Sequence, residues 1–466
     1  MTDTDLLLTF YGDDFTGSTD ALEGLADNGV RAVLFTRPPT TEDLERFDDL
    51  DAVGVAGVSR TMTPEEMESE LPSVFDALGE LNAPIVHYKV CSTFDSSPEV
   101  GSIGTAIDVA QDAYDSPFVP VSQGTEVPHG RYVAFSNLFA ERGGEMYRID
   151  RHPTMRDHPV TPMHESDLRR HLGEQTSRPI GRVDQRFLDD YEAAEAELTG
   201  TIRENEDEIV VLDALDTDHL ETIGRLLWDR ATDASGPLFA VGSSGLEHHA
   251  LVSHWDETGE IDRDATYFEK REPADNIAVM SGSASEETAA QIDWANEHGF
   301  RLVSIDTERL VDPDQKSDAR AAAVEEALAA LDDGESVVLY SARGPDDPAI
   351  DATRAAFEEH GTAENLESYL GHQQGVMFRE LLERSDVTRA CVAGGDTSSH
   401  VISELNLDAL EAIAPAAPGG PLCRAHSATT AFDGLELALK GGQVHTENDE
   451  FDYFGVVEQG GLENAD

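Results

Sequence analysis

Short apolar runs alternate along the chain with stretches in which apolar residues recur at helical spacing. In the first half, the runs read as strands at 6–8, 31–36, 51–57, 84–90, 131–135, 208–214 and 237–242. Most are followed by a turn rich in glycine or hydroxyl residues, and then by a helical pattern. Strands that alternate with helices predict a parallel sheet covered by helices on both faces. The pattern therefore predicts an α/β fold.

The second half repeats this alternation, with strands predicted at 276–280, 300–305, 336–341 and 388–393. The intervening stretch 251–275 is polar, acidic and contains Pro273, so we expect a linker there. The 466 residues exceed the size of one ordinary hydrophobic core. We predict two domains, 1–250 and 276–466, each with a mostly parallel sheet flanked by helices.

The turn after the first strand carries two adjacent carboxylates, Asp13 and Asp14, followed by Thr16. Open α/β folds bind small ligands at the carboxyl edge of the sheet, where such a turn lies. A carboxylate there could hold a hydroxyl group, take its proton, or bind Mg²⁺. The alternative is purely structural: Thr16 or Ser18 caps the following helix, and the aspartates favour its positive end.

Basic residues mark two further candidate segments. Lys89 ends a strand and precedes a loop containing Ser92, so it could meet an anionic substrate group; a lysine whose stem packs on apolar surface is the alternative. Downstream, Arg148, Arg151 and Arg156 could clamp a carboxylate bidentately. His158 lies in the same segment; metal binding by this histidine with His152 and His164 is a weak possibility, and a structural loop is the other alternative.

Two glycine-containing turns of the second half have the composition of an anion site. One holds Gly394, Gly395, Asp396 and Thr397, and the other runs from Ser281 to Ser283. Glycines let backbone N–H groups approach a phosphate, and the helix that follows adds its partial positive charge. Asp396 could hold Mg²⁺ against phosphates. The chain lacks the P-loop, protein-kinase and dinucleotide-binding motifs.

The charge composition limits the classes of molecule that the protein is expected to bind. The chain has 94 acidic and 32 basic residues, a formal net charge of −62, and the acid is spread along its length. Nucleic acid and anionic membranes would repel such a surface, so neither is expected as a partner. No apolar run is long enough to cross a bilayer and the amino terminus is acidic, so we expect a cytoplasmic protein. Few lysines and many carboxylates suggest a halophilic origin, where salt screens self-repulsion.

Several motifs in this order resemble the four-carbon acid sugar kinase family. The stretch 13–18 resembles the family signature Asp-Asp-Leu-Thr-Gly-Ala, and 158–163 resembles Asp-Pro-Val-Thr-Pro-Met. The stretch 394–398 is similar to Gly-Gly-Glu-Thr-Ser, and 437–442 to Leu-Ala-Leu-Lys-Ser-Gly. The matches span nearly the whole chain. The resemblance implies a sugar-acid-binding N-terminal domain, a nucleotide-binding C-terminal domain, and Mg²⁺-dependent phosphorylation of a small sugar acid by ATP.

The resemblance also assigns roles. Asp13 or Asp14 would orient or deprotonate the acceptor hydroxyl, and ATP would be held by residues that include Gly441 and Gly442. One motif departs from the family: where Asp-Ser-Thr-Leu-Arg is usual, this chain has Cys91 and Asp95 in place of the aspartate and the arginine. Threonate, erythronate, an oxo-tetronate and a branched oxo-isoapionate-like acid all remain open as substrates. A non-catalytic sensor that closes on a sugar acid is the alternative from another class, a phosphatase or lyase is a weaker one, and homo-oligomerisation is also open.

Overall fold

The computed structural model describes residues 6–114, 116–125, 129–158, 161–268, 271–360, 365–442, 444, 446 and 451–462. The chain divides into two compact units, Met1–Tyr267 (unit 1) and Phe268–Asp466 (unit 2). No helix in the described ranges combines the length and apolar character needed to span a membrane.

Unit 1 contains one large parallel sheet and one small antiparallel sheet. The strands of its described residues are, in chain order, β1 (Leu8–Gly12), β2 (Ala32–Phe35), β3 (Ala52–Ala56), β4 (Ile85–Lys89), β5 (Val119–Ser122), β6 (Arg131–Ala134), β7 (Asn137–Arg142), β8 (Glu145–Arg148), β9 (Ile180–Val183), β10 (Ile209–Leu212) and β11 (Leu238–Gly242). The parallel sheet has the order β2-β3-β1-β4-β11-β5-β10-β9. Most of its strands are buried throughout, as expected of a sheet covered on both faces.

The helices of unit 1 are α1 (Phe15–Asp27), α2 (Thr41–Leu44), α3 (Pro64–Gly79), α4 (Ile103–Tyr114), α5 (Leu168–Leu172), α6 (Gln185–Leu188), α7 (Tyr191–Glu204), α8 (Thr217–Asp233) and α9 (Leu251–Thr258). Short helical turns cover Ser59–Thr61, Ile149–Arg151, Met155–Asp157 and Leu246–Ala250. The start of α3 follows its sequence signals: Thr63 and Glu66 form a reciprocal capping box and Pro64 occupies the first turn.

Unit 2 is built in the same way. Its strands are β12 (Ala278–Ser281), β13 (Arg301–Ser304), β14 (Val337–Tyr340), β15 (Arg389–Ala393), β16 (Ala409–Ala414), β17 (Leu422–His426) and β18 (Glu436–Lys440). These strands form a sheet with the order β13-β14-β12-β15-β18-β17-β16. The first five strands in this order are parallel to one another, and β17 and β16 each run antiparallel to the strand before them. The helices are α10 (Glu286–Glu297), α11 (Thr307–Leu310), α12 (Lys316–Asp332), α13 (Pro348–His360), α14 (Leu366–Arg384), α15 (Gly395–Leu405) and α16 (Tyr453–Gln459). The predicted α/β class, with a mostly parallel sheet in each half, is confirmed.

Two details of the sequence prediction were wrong. The first strand runs through Gly12 rather than over 6–8, because Phe10 and Tyr11 are buried and continue the apolar run. The strand predicted at 131–135 is confirmed as β6, which pairs with β7 in the separate antiparallel sheet. The linker does not begin at residue 251: α9 is helical and buries Trp255, whose ring lies 5.6 Å from that of Trp228 in α8. The exposed polar residues of this helix, Asp256, Glu257 and Thr258, lie at its end and continue into the acidic stretch that was predicted to be a linker.

Candidate functional site

The candidate residues of unit 1 gather at the carboxyl edge of the parallel sheet. Gly12 is in register with Ala56 on one side and with Lys89 on the other, and Lys89 is in register with Gly242. Turns that follow these strands therefore meet in space although they are far apart in sequence. This edge brings Asp13, Arg60, Lys89 and Ser244 into one region.

Asp13, Asp14 and Arg60 form a buried cluster, which we call the Asp13–Arg60 cluster. The Arg60 guanidinium lies 2.9 Å from Asp13 Oδ1 and 2.9 Å from Asp14 Oδ1. Burial raises the pKa of the Asp13 carboxyl, and the charge of Arg60 only partly offsets this effect. Burial also acts on Asp14, but Arg60 and Lys89 hold its pKa below the ordinary value.

Asp14 has a structural task as well. It is the N-cap of α1, where its Oδ1 accepts the Gly17 N–H at 2.9 Å and its Oδ2 accepts the Thr16 hydroxyl at 2.8 Å. The expected alternative, in which Thr16 or Ser18 caps the helix, is therefore wrong: the aspartate caps it, and Thr16 supports the cap. Asp13, which does not cap the helix, keeps more of its lone pairs available.

A second buried group, which we call the Asp20 network, lies next to this cluster. Asp20, in the second turn of α1, meets Lys89 Nζ at 3.6 Å, His129 Nε2 at 3.0 Å and His248 Nε2 at 3.2 Å, and it also accepts the Ser244 hydroxyl. Burial disfavours the ionised carboxyl, but His129, His248 and Lys89 hold the Asp20 pKa well below its usual range. The aspartates likewise raise the pKa of the buried Lys89 against the effect of burial, so its charge persists.

The loop after β4 supplies a different set of groups. The Cys91 thiol lies 3.0 Å from the Thr93 hydroxyl, and Thr93 in turn bonds to the buried Asp95. Burial raises the pKa of Cys91, so this thiol stays protonated and uncharged. Ser92 is half-buried in the same turn. The loop thus presents one carboxylate and several neutral hydrogen-bonding groups.

The structure places the other predicted substrate residues elsewhere in unit 1. Arg148 forms an exposed ion pair with Asp150, and Arg156 forms one with Asp157. Arg151 is exposed, and His158 accepts the Thr161 N–H at 3.1 Å. Within the described part of the chain, no contact joins these residues to the Asp13–Arg60 cluster. Their engagement with neighbouring carboxylates argues against the expected clamp, and their substrate-binding role stays a prediction. Pro159 and Val160 of the same motif lie outside the described residues.

In unit 2, the two glycine turns do meet at one sheet edge. Ser281 of β12 is in register with Ala393 of β15, and Ala393 is in register with Lys440 of β18. Gly394 has φ +122°, a conformation that favours glycine, and it precedes the helix α15 that begins at Gly395. The Gly282 and Ser283 N–H groups both donate to the Ala393 carbonyl, at 3.0 and 3.2 Å.

Side chains tie these turns together. Thr397 is buried, and a Cβ on Gly282 would lie 1.9 Å from its hydroxyl oxygen. Ser285 donates to the Gly442 carbonyl at 2.5 Å, and a Cβ on Gly442 would lie 3.1 Å from the Ser283 hydroxyl. The predicted ATP residues Ser281, Ser283, Gly394, Gly395, Thr397, Gly441 and Gly442 therefore come from three adjacent strand ends. We call this set the glycine-turn cluster.

The sequence analysis does not predict Lys440 as a site residue, but its amine lies beside the glycine-turn cluster. The side chain is fully buried, and Nζ donates to the Thr288 hydroxyl at 3.0 Å; Thr288 donates in turn to Ser283. Burial lowers the pKa of Lys440 to about 8. A buried ammonium next to the N-terminus of a helix suits an anion.

Asp396 is exposed in the first turn of α15. Among the residues that the structure describes, no group of three or more histidine, cysteine or acidic side chains is arranged to hold a metal ion. A lone carboxylate still fits Mg²⁺ in a nucleotide site, because this ion commonly takes one or two carboxylates together with phosphates and water. Asp396 as a Mg²⁺ residue stays a prediction.

Sequence reasoning missed Arg60, Asp20, His129, His248 and Lys440. Two of these residues could have been predicted from the sequence. Asp20 lies beside the first motif, and Lys440 lies within the last motif and is one of the few lysines of the chain. The other residues belong to no recognisable sequence motif, because only the folded sheet brings them to the carboxyl edge of its strands. A separate acidic groove of about 400 Å³ between α3 and α4, lined in part by Glu68, Asp76, Asp108 and Asp112, contains none of these residues.

Family models and named relatives match both halves of the chain. A model described as a sugar-binding N-terminal domain matches residues 8–250, and one described as a nucleotide-binding C-terminal domain matches residues 278–448. A 3-oxo-isoapionate kinase from Paraburkholderia graminis is 43% identical over 465 residues, covering 99% of this chain and 96% of the relative. A 3-oxo-tetronate kinase from Brucella melitensis biotype 1 is 28% identical and covers 98% of this chain and 97% of its own.

Solved structures show the same fold. A Salmonella typhimurium LT2 protein, provisionally described as a tRNA synthase, superposes with a TM-score of 0.74 at 26% identity, covering 97% of this chain and 98% of that chain. A Haemophilus influenzae protein gives a TM-score of 0.70 at 23% identity, covering 97% and 99%. The matched domain models and the full-length relatives lead to one conclusion: the chain belongs to the four-carbon acid sugar kinase family.

Proposed function

We propose that the protein is an ATP-dependent kinase that transfers the γ-phosphoryl group to a hydroxyl of a small sugar acid. The observation that carries the proposal is the 43% identity, over nearly the whole of both chains, to a relative named 3-oxo-isoapionate kinase. The relatives named 3-oxo-tetronate kinases are 27–30% identical. We therefore propose a branched oxo acid of the 3-oxo-isoapionate type as the preferred substrate, with an oxo-tetronate as a second candidate.

Asp13 is the proposed general base. Its carboxylate is 2% exposed, and burial raises its pKa, which makes it a better proton acceptor than an ordinary aspartate. Arg60 holds it in place through Nε and Nη2. Asp14, by contrast, spends its oxygens on capping α1, so we assign it a positioning role.

Lys89 is the proposed source of positive charge near the acceptor. A Cβ on Gly17 would lie 2.6 Å from Lys89 Nζ and 2.4 Å from Asp14 Oδ1, which places the ammonium at the start of α1. The Asp20 network keeps this lysine charged and in a fixed position. Thr16 and Ser92 are proposed as hydrogen-bonding partners for substrate hydroxyls.

The glycine-turn cluster is the proposed ATP site. Backbone N–H groups at the start of α15, the turn from Ser281 to Ser283, and the Lys440 ammonium would meet the phosphates. Gly441 and Gly442 would line the nucleotide. Asp396 would hold Mg²⁺, which when bound neutralises charge on the transferring phosphoryl group. Phosphoryl transfer needs little covalent chemistry from the protein, so positioning and charge are the contributions expected of these residues.

A coupled ADP-release assay across a panel of sugar acids tests the proposal. The panel contains 3-oxo-isoapionate, 3-oxo-tetronate, threonate and erythronate. We expect ADP release that depends on both ATP and one of the oxo acids. Binding of an acid without turnover would identify a sensor instead, and turnover of a phosphorylated acid without ATP would identify a phosphatase or lyase.

Two matched variants test the base. Asp13→Asn should lower kcat by about 100-fold or more, since it removes the proton acceptor. Asp14→Asn should retain most activity, because asparagine caps a helix about as well as aspartate. Near-normal turnover of Asp13→Asn would remove that residue from the base role.

A further inference from the structure

Arg131 begins β6 and approaches the loop after β4 from another part of the chain. Its backbone is held by two hydrogen bonds with Thr125, N–H to carbonyl in each direction, at 2.9 and 3.0 Å. Its Nη1 donates to the carbonyl oxygens of His129 and Gly130. The backbone contacts fix where the guanidinium lies, and they use only one of its nitrogens.

The guanidinium is otherwise poorly satisfied. Its Nε is buried and has no hydrogen-bond partner among the described residues. Burial lowers the pKa of Arg131, and nearby Cys91, Asp95 and Glu141 only partly oppose this. Because the pKa of the Cys91 thiol is raised, that neighbour contributes no charge near neutral pH. The residue as a whole is half-buried, but a buried guanidinium N–H without a partner is costly unless a ligand completes it.

A buried acceptor faces the same loop. Gln123 is fully buried, and its side-chain nitrogen donates to the Cys91 carbonyl at 2.6 Å. The other end of this amide, Oε1, has no hydrogen-bond partner among the residues described. The loop is thus flanked by one unused donor on a cation and one unused acceptor on an amide. A ligand bearing an anionic oxygen and a hydroxyl would satisfy both.

Two other cationic side chains at this edge, Arg60 and Lys89, are already engaged. Arg60 is shared between the carboxylates of Asp13 and Asp14, and Lys89 pairs with Asp20. An incoming carboxylate at either position would have to compete with aspartates of the protein. At Arg131 it would meet an unused N–H instead; Asp95, whose charge acts on this arginine, already accepts a hydrogen bond from the Thr93 hydroxyl.

We propose that Arg131 binds the carboxylate of the sugar acid and that Gln123 accepts a hydrogen bond from one of its hydroxyls. Arg131 is then the residue that selects an acid over the corresponding neutral polyol. The inference rests on the proposed function for the identity of the ligand. It adds a specificity-determining pair, at the loop of Cys91 and Asp95, that is distinct from the Asp13 base.

The test is calorimetric binding in the absence of nucleotide, using threonate, erythronate and 3-oxo-isoapionate as acids and threitol and erythritol as neutral counterparts. The wild-type protein should bind at least one acid more tightly than the alcohols. Arg131→Met should weaken acid binding by about 30-fold or more, as loss of one partner of a buried charged pair does, and should leave alcohol binding unchanged. Arg142→Met, which changes an exposed arginine of the neighbouring strand β7, is the matched control and should bind like wild type.

Each outcome decides the inference separately from the proposed function. If the wild-type protein binds acid but releases no ADP, the kinase proposal fails. The ratio of acid affinity to alcohol affinity still tests the proposed role of Arg131 in that case. Equal acid affinity in wild type and Arg131→Met would overturn the inference, as would a parallel loss of acid and alcohol binding. Failure of wild type to prefer any acid over its alcohol would overturn it too. Should Arg131→Met not fold, Arg131→Gln, which keeps a polar side chain without the charge, is judged by the same ratio.

Discussion

Gly282→Ala gives a sharp test of the glycine-turn cluster. The new Cβ would lie 1.9 Å from Thr397 Oγ1, 3.1 Å from Thr397 Cβ and 2.8 Å from Gln374 Oε1. The separations of 1.9 and 2.8 Å are too short for real contacts, so Thr397 must turn away and its contact with Gln374 at 3.4 Å is lost. Overpacking and one lost buried hydrogen bond together cost about 2–4 kcal/mol.

This change should affect both stability and nucleotide binding. In a unit of this size, the loss corresponds to a melting temperature lower by about 5–12 °C. Displacing Thr397 from the first turn of α15 should also raise KM for ATP by about tenfold or more, the equivalent of about 1.4 kcal/mol. Binding of sugar acid to unit 1 should be unchanged. Scanning calorimetry and the ADP-release assay measure the two effects.

Gly200→Ala is the matched control. Gly200 lies inside α7, and a Cβ there would meet no atom within 4 Å. This variant should be as stable as wild type or more stable by about 0.5–1 kcal/mol, since alanine favours a helix over glycine. If Gly282→Ala melts like wild type and keeps its KM for ATP, the contact between the two turns does not shape the nucleotide site, and the reasoning is refuted.

Two further predictions concern charge. Because the buried Lys440 has a pKa of about 8, its ammonium should lose its proton as the pH rises past that value. The KM for ATP should then rise with pH. The variant Lys440→Met should bind ATP weakly at neutral pH, and its KM should not rise further with pH. The same shift makes the wild-type protein more stable as pH rises above about 8, because an ordinary lysine in the unfolded chain still holds its proton there. With a net charge of −62, the melting temperature should increase from dilute buffer to molar KCl as salt screens repulsion, and an unchanged melting temperature would contradict the halophilic interpretation.

Local sequence patterns determined much of the fold. Alternating apolar runs and helical spacings predicted the parallel sheets, and the capping signal at Thr63 and Pro64 placed the start of α3 correctly. These features depend on residues close in sequence, which is why periodicity and turn chemistry reveal them. The two glycine turns were also predicted to serve together, and β12 and β15 are indeed neighbours.

Patterns failed where a residue's partner decides its role. Asp14 caps α1 because the helix starts one residue later, at Phe15, and Thr16 therefore supports the cap instead of forming it. The predicted carboxylate clamp of Arg148 and Arg156 stays a prediction, although each arginine pairs with an aspartate near it in sequence. The acidic stretch after residue 250 looked like a linker, although its first part buries one side of a helix.

The sequence by itself determined the α/β class, the Asp13–Asp14 turn, the glycine turns and, through its motifs, the family resemblance. The pairing of cations with acids depends on the folded chain: Arg60 pairs with Asp13, His248 pairs with Asp20, and the charge of Asp95 acts on Arg131. The physical reason is that parallel strands bring their carboxyl ends to one edge whatever their distance along the chain. Burial at that edge then shifts the pKa values of side chains and leaves hydrogen-bond donors without partners. Neither effect can be predicted from residues that are adjacent in sequence.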